Sequence, residues 1–534
     1  MSFVNTEFFV FIALALLCYY AMNLIRPIKK YQWIWLLIVS YAYYLSFGVK
    51  TAFFILYTTC TTYIGARIIG FFISDNKKKS IELNASISQY DKKESRKQLK
   101  IKKRIVVIAV LILNFGMLAI VKYGTFFIEN INSLLRVTGN TNQINVWTIL
   151  LPVGISFYTF QSMSYMIDVY QEKYEPEKNI FKFALFVSFF PQIMQGPIGR
   201  FNKLAAQLFD NHKFDLTRLE YALQLVGWGL FKKIVLADRA AVFVNQVFDN
   251  YIDYYGFSVI FAVLLYCIQL YADFSGGMDI VIGTASMFGI ELDENFRQPF
   301  FSKSISEFWR RWHITLGTWM KDYVFYPFSL SKAMGKFSKF LKKHCNQYIG
   351  KTLPICLANL LIFFLVGVWH GAAWKFIVYG MYNGVIIAFS NLVEPLYKKC
   401  LKICHINSKS RGWKIIQILR TFILVNIGWY FDRALSLSAA FVMMKNTFIN
   451  ISISQIIDGS LYQMGLEQLD FVIILLGCLV WFIISLLKEK GIEVRKAISD
   501  MPLVLRWAIY MLLIFSTGFI GYIGSTSGFI YAQF

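Results

Sequence analysis

The chain has 534 residues, 57% of them hydrophobic and 18% aromatic, and only 16% carry a charge. A soluble domain is about half apolar and a quarter charged. This composition, with a mean hydropathy of +0.51 and apolar residues gathered in long runs, excludes a soluble globular enzyme and implies a polytopic membrane protein. The formal charge of +23 does not call for nucleic acid, because basic residues held in short loops between apolar runs follow from the positive-inside rule. The eight cysteines lie mainly in or beside apolar runs and give no disulfide framework. Cys400-x3-Cys404-His405 lacks the paired spacing of a zinc site, so no metal is expected. No polar segment is long enough to fold separately, and residues 1–534 read as a single integral-membrane domain.

A spanning helix needs about twenty mostly apolar residues. The first candidates are 8–24, 31–47 and 52–74. The first lacks a basic leader and a clear cleavage site, so it reads as a retained helix rather than a signal peptide. Arg26, Lys29 and Lys30 follow the first run; Lys77, Lys78, Lys79 and the charged stretch 91–104 follow the third. Putting both basic loops in the cytoplasm places the N-terminus outside. Residues 75–104, the most polar part of the chain, are expected to form a mobile basic cytoplasmic loop. Residues 105–127 cross outward, 129–145 form an external loop, and 146–169 cross inward. This last run carries Pro152, Gly154, Ser156 and Gln161, which calls for backbone covered by protein rather than lipid. Residues 181–198, interrupted at Pro191 and Pro197, read as a re-entrant or broken helix.

Residues 219–248 contain Lys232, Lys233, Asp238 and Arg239, charges that must be shielded or interfacial. The apolar run 256–272 leads into Asp273-Phe274-Ser275-Gly276-Gly277-Met278-Asp279, where two glycines mark an expected helix break and Asp273 and Asp279 are structural groups holding it together. Residues 306–327 read SEFWRRWHITLGTWMKDYVFYP. Phe308, Trp312, Trp319 and Met320 recur on one stripe, and Glu307 precedes Arg311 by four, so an amphipathic helix at the cytoplasmic interface is expected. Trp309, Trp312 and Trp319 read as packing and interface anchors. Arg310 and Arg311 are candidate contacts for an anionic donor, although a basic interfacial stripe explains them equally. Further spans at 353–370, 374–393, 415–431, 471–487 and 503–523 bring the total to about eleven.

Two of the five histidines stand apart. His212, His344 and His405 lie in polar or basic loops and read as ordinary interfacial side chains. His370 ends a long apolar run between Trp369 and Gly371, and an ionisable group at that depth is a functional-site candidate. His313 follows Trp312 next to Arg310 and Arg311. Imidazole accepts and returns a proton at neutral pH. Transfer of an acyl group from a thioester to a hydroxyl needs such a base. Neither a Gly-x-Ser-x-Gly elbow nor an HExxH motif is present, so direct transfer with a histidine base fits better than a serine triad or zinc hydrolysis.

Several stretches, in order, resemble the membrane-bound O-acyltransferases, and within them the alginate O-acetyltransferase (AlgI-like) branch. They are LPVGISFYTFQ at 151–161, Phe190-Pro191-Gln192 with Gly196-Pro197, Phe231-Lys232-Lys233 with Ala237-Asp238-Arg239, Tyr271-Ala272-Asp273-Phe274-Ser275-Gly276, Asn295-Phe296, FWRRWHITLGTW at 308–319, Asp322-Tyr323, Trp369-His370-Gly371, and the tail FIYAQF at 529–534. The resemblance implies an all-α ring of helices with re-entrant and interfacial segments around a central tunnel, in a bacterial plasma membrane. It implies His370 as the catalytic base and His313 as a second essential histidine; beside them, Arg310, Arg311, Trp312 and Trp369 are the substrate-binding candidates. The implied donor is a cytoplasmic thioester, acetyl-CoA above all, with no bound cofactor. The implied acceptor is a hydroxyl of an exported polysaccharide, or of an extracytoplasmic partner in its synthesis complex. D-alanyl or other acyl transfer to teichoic acid, peptidoglycan or lipid remains an alternative, as does a transporter of a polymer or lipid precursor. One departure is Phe431-Asp432-Arg433-Ala434, where the branch leads one to expect an aromatic residue in place of Asp432. Its distance from the histidines in sequence suggests a partner surface rather than the chemistry.

Overall fold

The computed structural model describes residues 3–25, 27–82, 89–139, 142–146, 151–522 and 528–530. Arg26, residues 147–150 of the expected fifth span and the tail residues 531–534 lie outside the described residues. Among the described residues there is no strand, only an isolated antiparallel bridge between Phe296 and Trp312. The chain divides into two compact units, Met1–Leu219 with Thr284–Asp293, and Glu220–Gly283 with Glu294–Phe534.

The first unit contains α1 (Thr6–Ala21), α2 (Gln32–Leu45), α3 (Val49–Glu82), α4 (Gln89–Val137), α5 (Ile155–Tyr170) and α6 (Ile180–Ser188). Aromatic rings fill its core. Tyr43 meets Phe8 and Phe190, each at 5.8 Å between ring centroids. Gln32 and His212 tie the unit together: the Gln32 amide donates to the His212 carbonyl at 3.1 Å, and the His212 N–H donates back at 2.9 Å. His212 thus has a structural place. The chain breaks at Phe189, between α6 and the short helix Phe190–Ile193, as the interruption at Pro191 predicts.

The expected mobile loop is different. Residues 75–82 and 89–104 continue α3 and α4 as helix. Their Lys, Glu, Gln and Arg content favours helix, and pairs four residues apart support it: Lys79 with Asp75 at 2.8 Å and Gln98 with Glu94 at 3.0 Å. The polar run extends apolar helices beyond a bilayer's thickness, while 83–88 lie outside the described residues.

The second unit takes in α7 (Leu216–Leu230) from Glu220 on, a π-helical segment Phe231–Ala237, α8 (Asp238–Asp249) and α9 (Phe257–Met287) as far as Gly283. The expected break at 273–279 does not exist; α9 runs through it. The glycines serve close approach instead. A Cβ on Gly276 would meet the Gly229 carbonyl oxygen at 2.8 Å, and one on Gly229 would meet that of Gly276 at 2.6 Å. The carboxylates hold the buried lysines of the π segment. Lys233 bonds Asp273 at 2.6 Å and Asp238 at 2.8 Å, while Lys232 bonds Asp279 at 2.8 Å. Buried charges persist when paired, and the wide π turn brings both lysines to bear on α9.

Among the described residues, seven helices are long and apolar enough to cross a bilayer, and Trp374–Leu392 with Glu394–Ile403, bent by 61°, makes an eighth if the pair is one span. Three further expected spans fall on shorter helices: α2 with 14 residues, α5 with 16 and Leu503–Phe519 with 17. The flanks of the spans are apolar and outward. Leu475 is 69% exposed and Leu479 52% exposed on the helix Gln468–Glu489. Such a face is stable in lipid, not in water.

Candidate active site

Both singled-out histidines lie in the second unit. His313 is not inside one amphipathic helix, as the stripe at 306–327 leads one to expect. The stretch forms two short helices, α10 (Ile305–Arg311) and α11 (Ile314–Met320), and His313 stands at the join with φ of +46° and ψ of +53°. That left-handed conformation is uncommon outside glycine, although histidine takes it more often than most residues, and it persists where surroundings over-determine it. Asn295 supplies the constraint. Its backbone carbonyl accepts from Ile314 N–H at 3.0 Å, and Arg297 N–H donates to the Arg311 carbonyl at 2.9 Å, pinning both sides of the join.

The Asn295 side chain also sets the His313 tautomer. Asn295 Oδ1 accepts from Thr315 N–H at 2.9 Å and from the Thr315 hydroxyl at 3.0 Å, and His313 Nδ1 lies 3.3 Å from the same oxygen. A backbone N–H can only donate, so the atom facing it is an oxygen. Nδ1 must then carry the proton, and the neutral ring keeps its lone pair on Nε2. His313 is 1% exposed and lies outside the spanning helices. Burial, followed by the nearby His370, holds its protonation well below imidazole's usual range, so it is neutral at physiological pH.

His370 is the last residue of α12 (Gln347–His370), which packs on α13 (Trp374–Leu392). Glycines bring these helices together. A Cβ on Gly367 would strike the Phe376 carbonyl oxygen at 2.5 Å, and one on Gly380 would strike that of Phe363. His370 is 2% exposed, flanked by Tyr379 at 5.3 Å and Phe376 at 6.2 Å between ring centroids. Trp369 joins the two histidines: its ring lies 5.4 Å from His313 and 5.3 Å from His370.

The other expected site residues divide. Trp312 is 1% exposed, locked among Phe296, Phe308 and Trp429. It braces the His313 join. Trp309 donates to Asn383 Oδ1 at 3.1 Å. Arg311 is committed to Glu489 at 2.7 Å and Glu307 at 2.9 Å, as the acid-first spacing predicts for the second contact. These carboxylates hold its guanidinium above the usual range. A donor contact through Arg311 would have to displace them. Arg310 is exposed and hydrogen-bonded to Ser306 at 3.0 Å. Beside Asn295 lies a polar cavity of about 60 Å³ bounded by Lys232, Asp279, Glu294 and Lys488. It has room for a water or two, not for a thioester arm.

Asp432 is the correction. Far from a remote surface position, its carboxylate is 5% exposed as a residue and lies 3.5 Å from His370 Nδ1. It stands in the last turn of α14 (Arg411–Arg433), which returns across the unit to the end of α12. Asn295, known from the sequence only as part of a motif, and Asp432, known only as a departure, are not among the expected site residues. The available signal was an acidic residue at the end of an apolar helix, which is expensive unless it has a task.

The sequence model of the membrane-bound O-acyltransferase family (MBOAT) matches residues 1–342, close to two thirds of the chain. The chain belongs to this family. His313 and Asn295 fall within the MBOAT match; His370 and Asp432 lie beyond it. Over 329 residues the chain is 34% identical to a probable alginate O-acetylase AlgI of Pseudomonas syringae, which covers 62% of this chain and 58% of that one. Over 369 residues it is 31% identical to the peptidoglycan O-acetyltransferase of Helicobacter pylori, covering 64% of each. Over 294 residues it is 30% identical to the teichoic acid D-alanyltransferase of Bacillus subtilis, covering 52% of this chain and 67% of that one. The chain spans about three fifths of the length of the first two relatives.

Proposed function

We propose that this multi-pass membrane protein is an O-acetyltransferase that takes an acetyl group from a cytoplasmic thioester, acetyl-CoA, and delivers it to a hydroxyl of an exported polysaccharide or of an extracytoplasmic partner. The observation that carries this reading is the meeting of two nearly fully buried histidines, from separate elements, on either side of Trp369. Acetyl is preferred to D-alanyl because the alginate and peptidoglycan relatives match over more of this chain than the teichoic acid relatives do. Basic segments such as the helix Lys332–His344 would face the cytoplasm, with the N-terminus outside.

In this mechanism the acceptor hydroxyl attacks the thioester carbonyl carbon while His370 takes its proton. The tetrahedral oxyanion collapses, the C–S bond breaks, and the imidazolium returns the proton to the departing sulfur. The products are an ester and a free thiol. His313, neutral with its lone pair on Nε2, cannot donate from that nitrogen to the carbonyl oxygen; it is suited to accept a hydrogen bond from substrate or water. Polarisation of the thioester by His313 is therefore the less favoured of its expected roles. Both rings are out of water, so donor and acceptor must open the site to reach them.

The test is His370→Ala, expressed at native level in the membrane of the host. Alkali-labile acetyl on the envelope polysaccharide should fall at least about 100-fold, with total exported polymer unchanged. Retained acetyl would sink the catalytic role. A fall in total polymer with its acetyl content intact would indicate transport instead.

A further inference from the structure

We propose that Asp432 is a positioning residue for His370: its carboxylate holds the imidazole in the tautomer with the proton on Nδ1, leaving Nε2 as the base. This rests on the acyltransfer reading for its purpose, but not for its geometry. Asp432 Oδ1 and His370 Nδ1 are 3.5 Å apart, with both side chains 3% exposed. That is ion-pair range and slightly longer than a well-formed hydrogen bond; such contacts commonly tighten when substrate binds. The other carboxylate oxygen is fixed, since the Tyr266 hydroxyl donates to Oδ2 at 2.7 Å.

The neighbouring charges leave this role to Asp432. Arg433 turns to Asn245 at 2.7 Å and Asp249 at 3.1 Å. Lys375 donates to backbone carbonyls, that of Asp432 at 3.2 Å and that of Ala434 at 2.5 Å. A carboxylate in the last turn of a helix opposes the helix dipole, and burying one is costly without compensation. Tyr266 and His370 provide the compensation. The arrangement also suits the reaction: when Nε2 takes the acceptor's proton, the imidazolium forms 3.5 Å from a fixed negative charge in surroundings that screen it weakly. Phe376 and Tyr379 pack about the ring and oppose its rotation.

The experiment is ¹⁵N NMR of the full chain in lipid nanodiscs with its histidines labelled. His370→Gln identifies the resonance pair by its disappearance. Native protein should show a protonated Nδ1 and a bare Nε2. Asp432→Asn can present its amide N–H₂ to Nδ1, so the proton should move to Nε2. Its turnover with acetyl-CoA should fall by about 10²–10⁴-fold, while KM for acetyl-CoA stays within about twofold. Asp432→Glu should restore the native tautomer and part of the rate. Should Asp432→Asn misfold, Tyr266→Phe, which frees Oδ2 but keeps the carboxylate, should give a mixed tautomer and a partial loss. A native His370 protonated on Nε2, or a native tautomer and rate in both Asp432→Asn and Tyr266→Phe, would overturn the proposal. The expected tautomers in a native protein that transfers no acetyl would leave the positioning intact and remove the acyltransfer reading.

Discussion

One amide oxygen, Asn295 Oδ1, receives the Thr315 N–H and hydroxyl and faces His313 Nδ1. Asn295→Leu should therefore leave up to three buried donors without their acceptor, at about 1–3 kcal/mol for each. The visible result should be a clear drop in melting temperature in detergent, and loss of transfer beyond what the lower stability explains. Asn295→Asp, which keeps an acceptor oxygen in place, should be milder; equal damage from both would argue against the hydrogen bond as the cause. The two histidines were legible in the sequence because each stands in a setting where an imidazole is expensive. Their supports were not. Asn295 is 18 residues from His313 and Asp432 is 62 from His370, and no periodicity links positions joined only by tertiary folding. Asp432 was visible as an oddity, yet sequence distance was a poor guide to its place.

At the scale of elements, the π-helical turn between α7 and α8 holds charge within the protein interior. Lys233 is 2% exposed and balances Asp238 and Asp273. Lys233→Met should strand these carboxylates and cost about 3–5 kcal/mol, seen as reduced monodisperse protein in detergent. Lys233→Met with Asp273→Leu should recover part of it; a double variant no better than the single would show that the ion pair is not the source of the loss. The sequence shows these charges as interruptions, because a period-based reading scores a lysine in an apolar run as a break. It cannot show that partners 40 residues away make the helix continuous. High polarity makes 75–104 read as a loop, whereas the helix propensity of its Lys, Glu and Gln prevails over 75–82 and 89–104. At His313 the error ran the other way: a good apolar stripe concealed a left-handed join.

For the whole molecule, the runs of apolar residues mark the membrane class and, counting the bent pair as one, eight of the roughly eleven expected spans among the described residues, because lipid demands long apolar helices. The short ones, such as the 14 residues of α2, reach roughly 21 Å at 1.5 Å per residue, less than the ~30 Å hydrocarbon core. α5 is almost wholly buried within the first unit, whereas Leu503–Phe519 has no buried residue, and length alone reveals neither. The proposed orientation rests on charge bias, and the proposed direction of transfer rests on that orientation. Proteoliposomes of uniform orientation, loaded inside or supplied outside with acetyl-labelled acetyl-CoA and given purified envelope polysaccharide on the other face, test this most directly. The account predicts alkali-labile label on the polysaccharide only when acetyl-CoA meets the face bearing the helix Lys332–His344, and none with His370→Ala. Equal labelling from either face, or labelling by His370→Ala at the native rate, would contradict it.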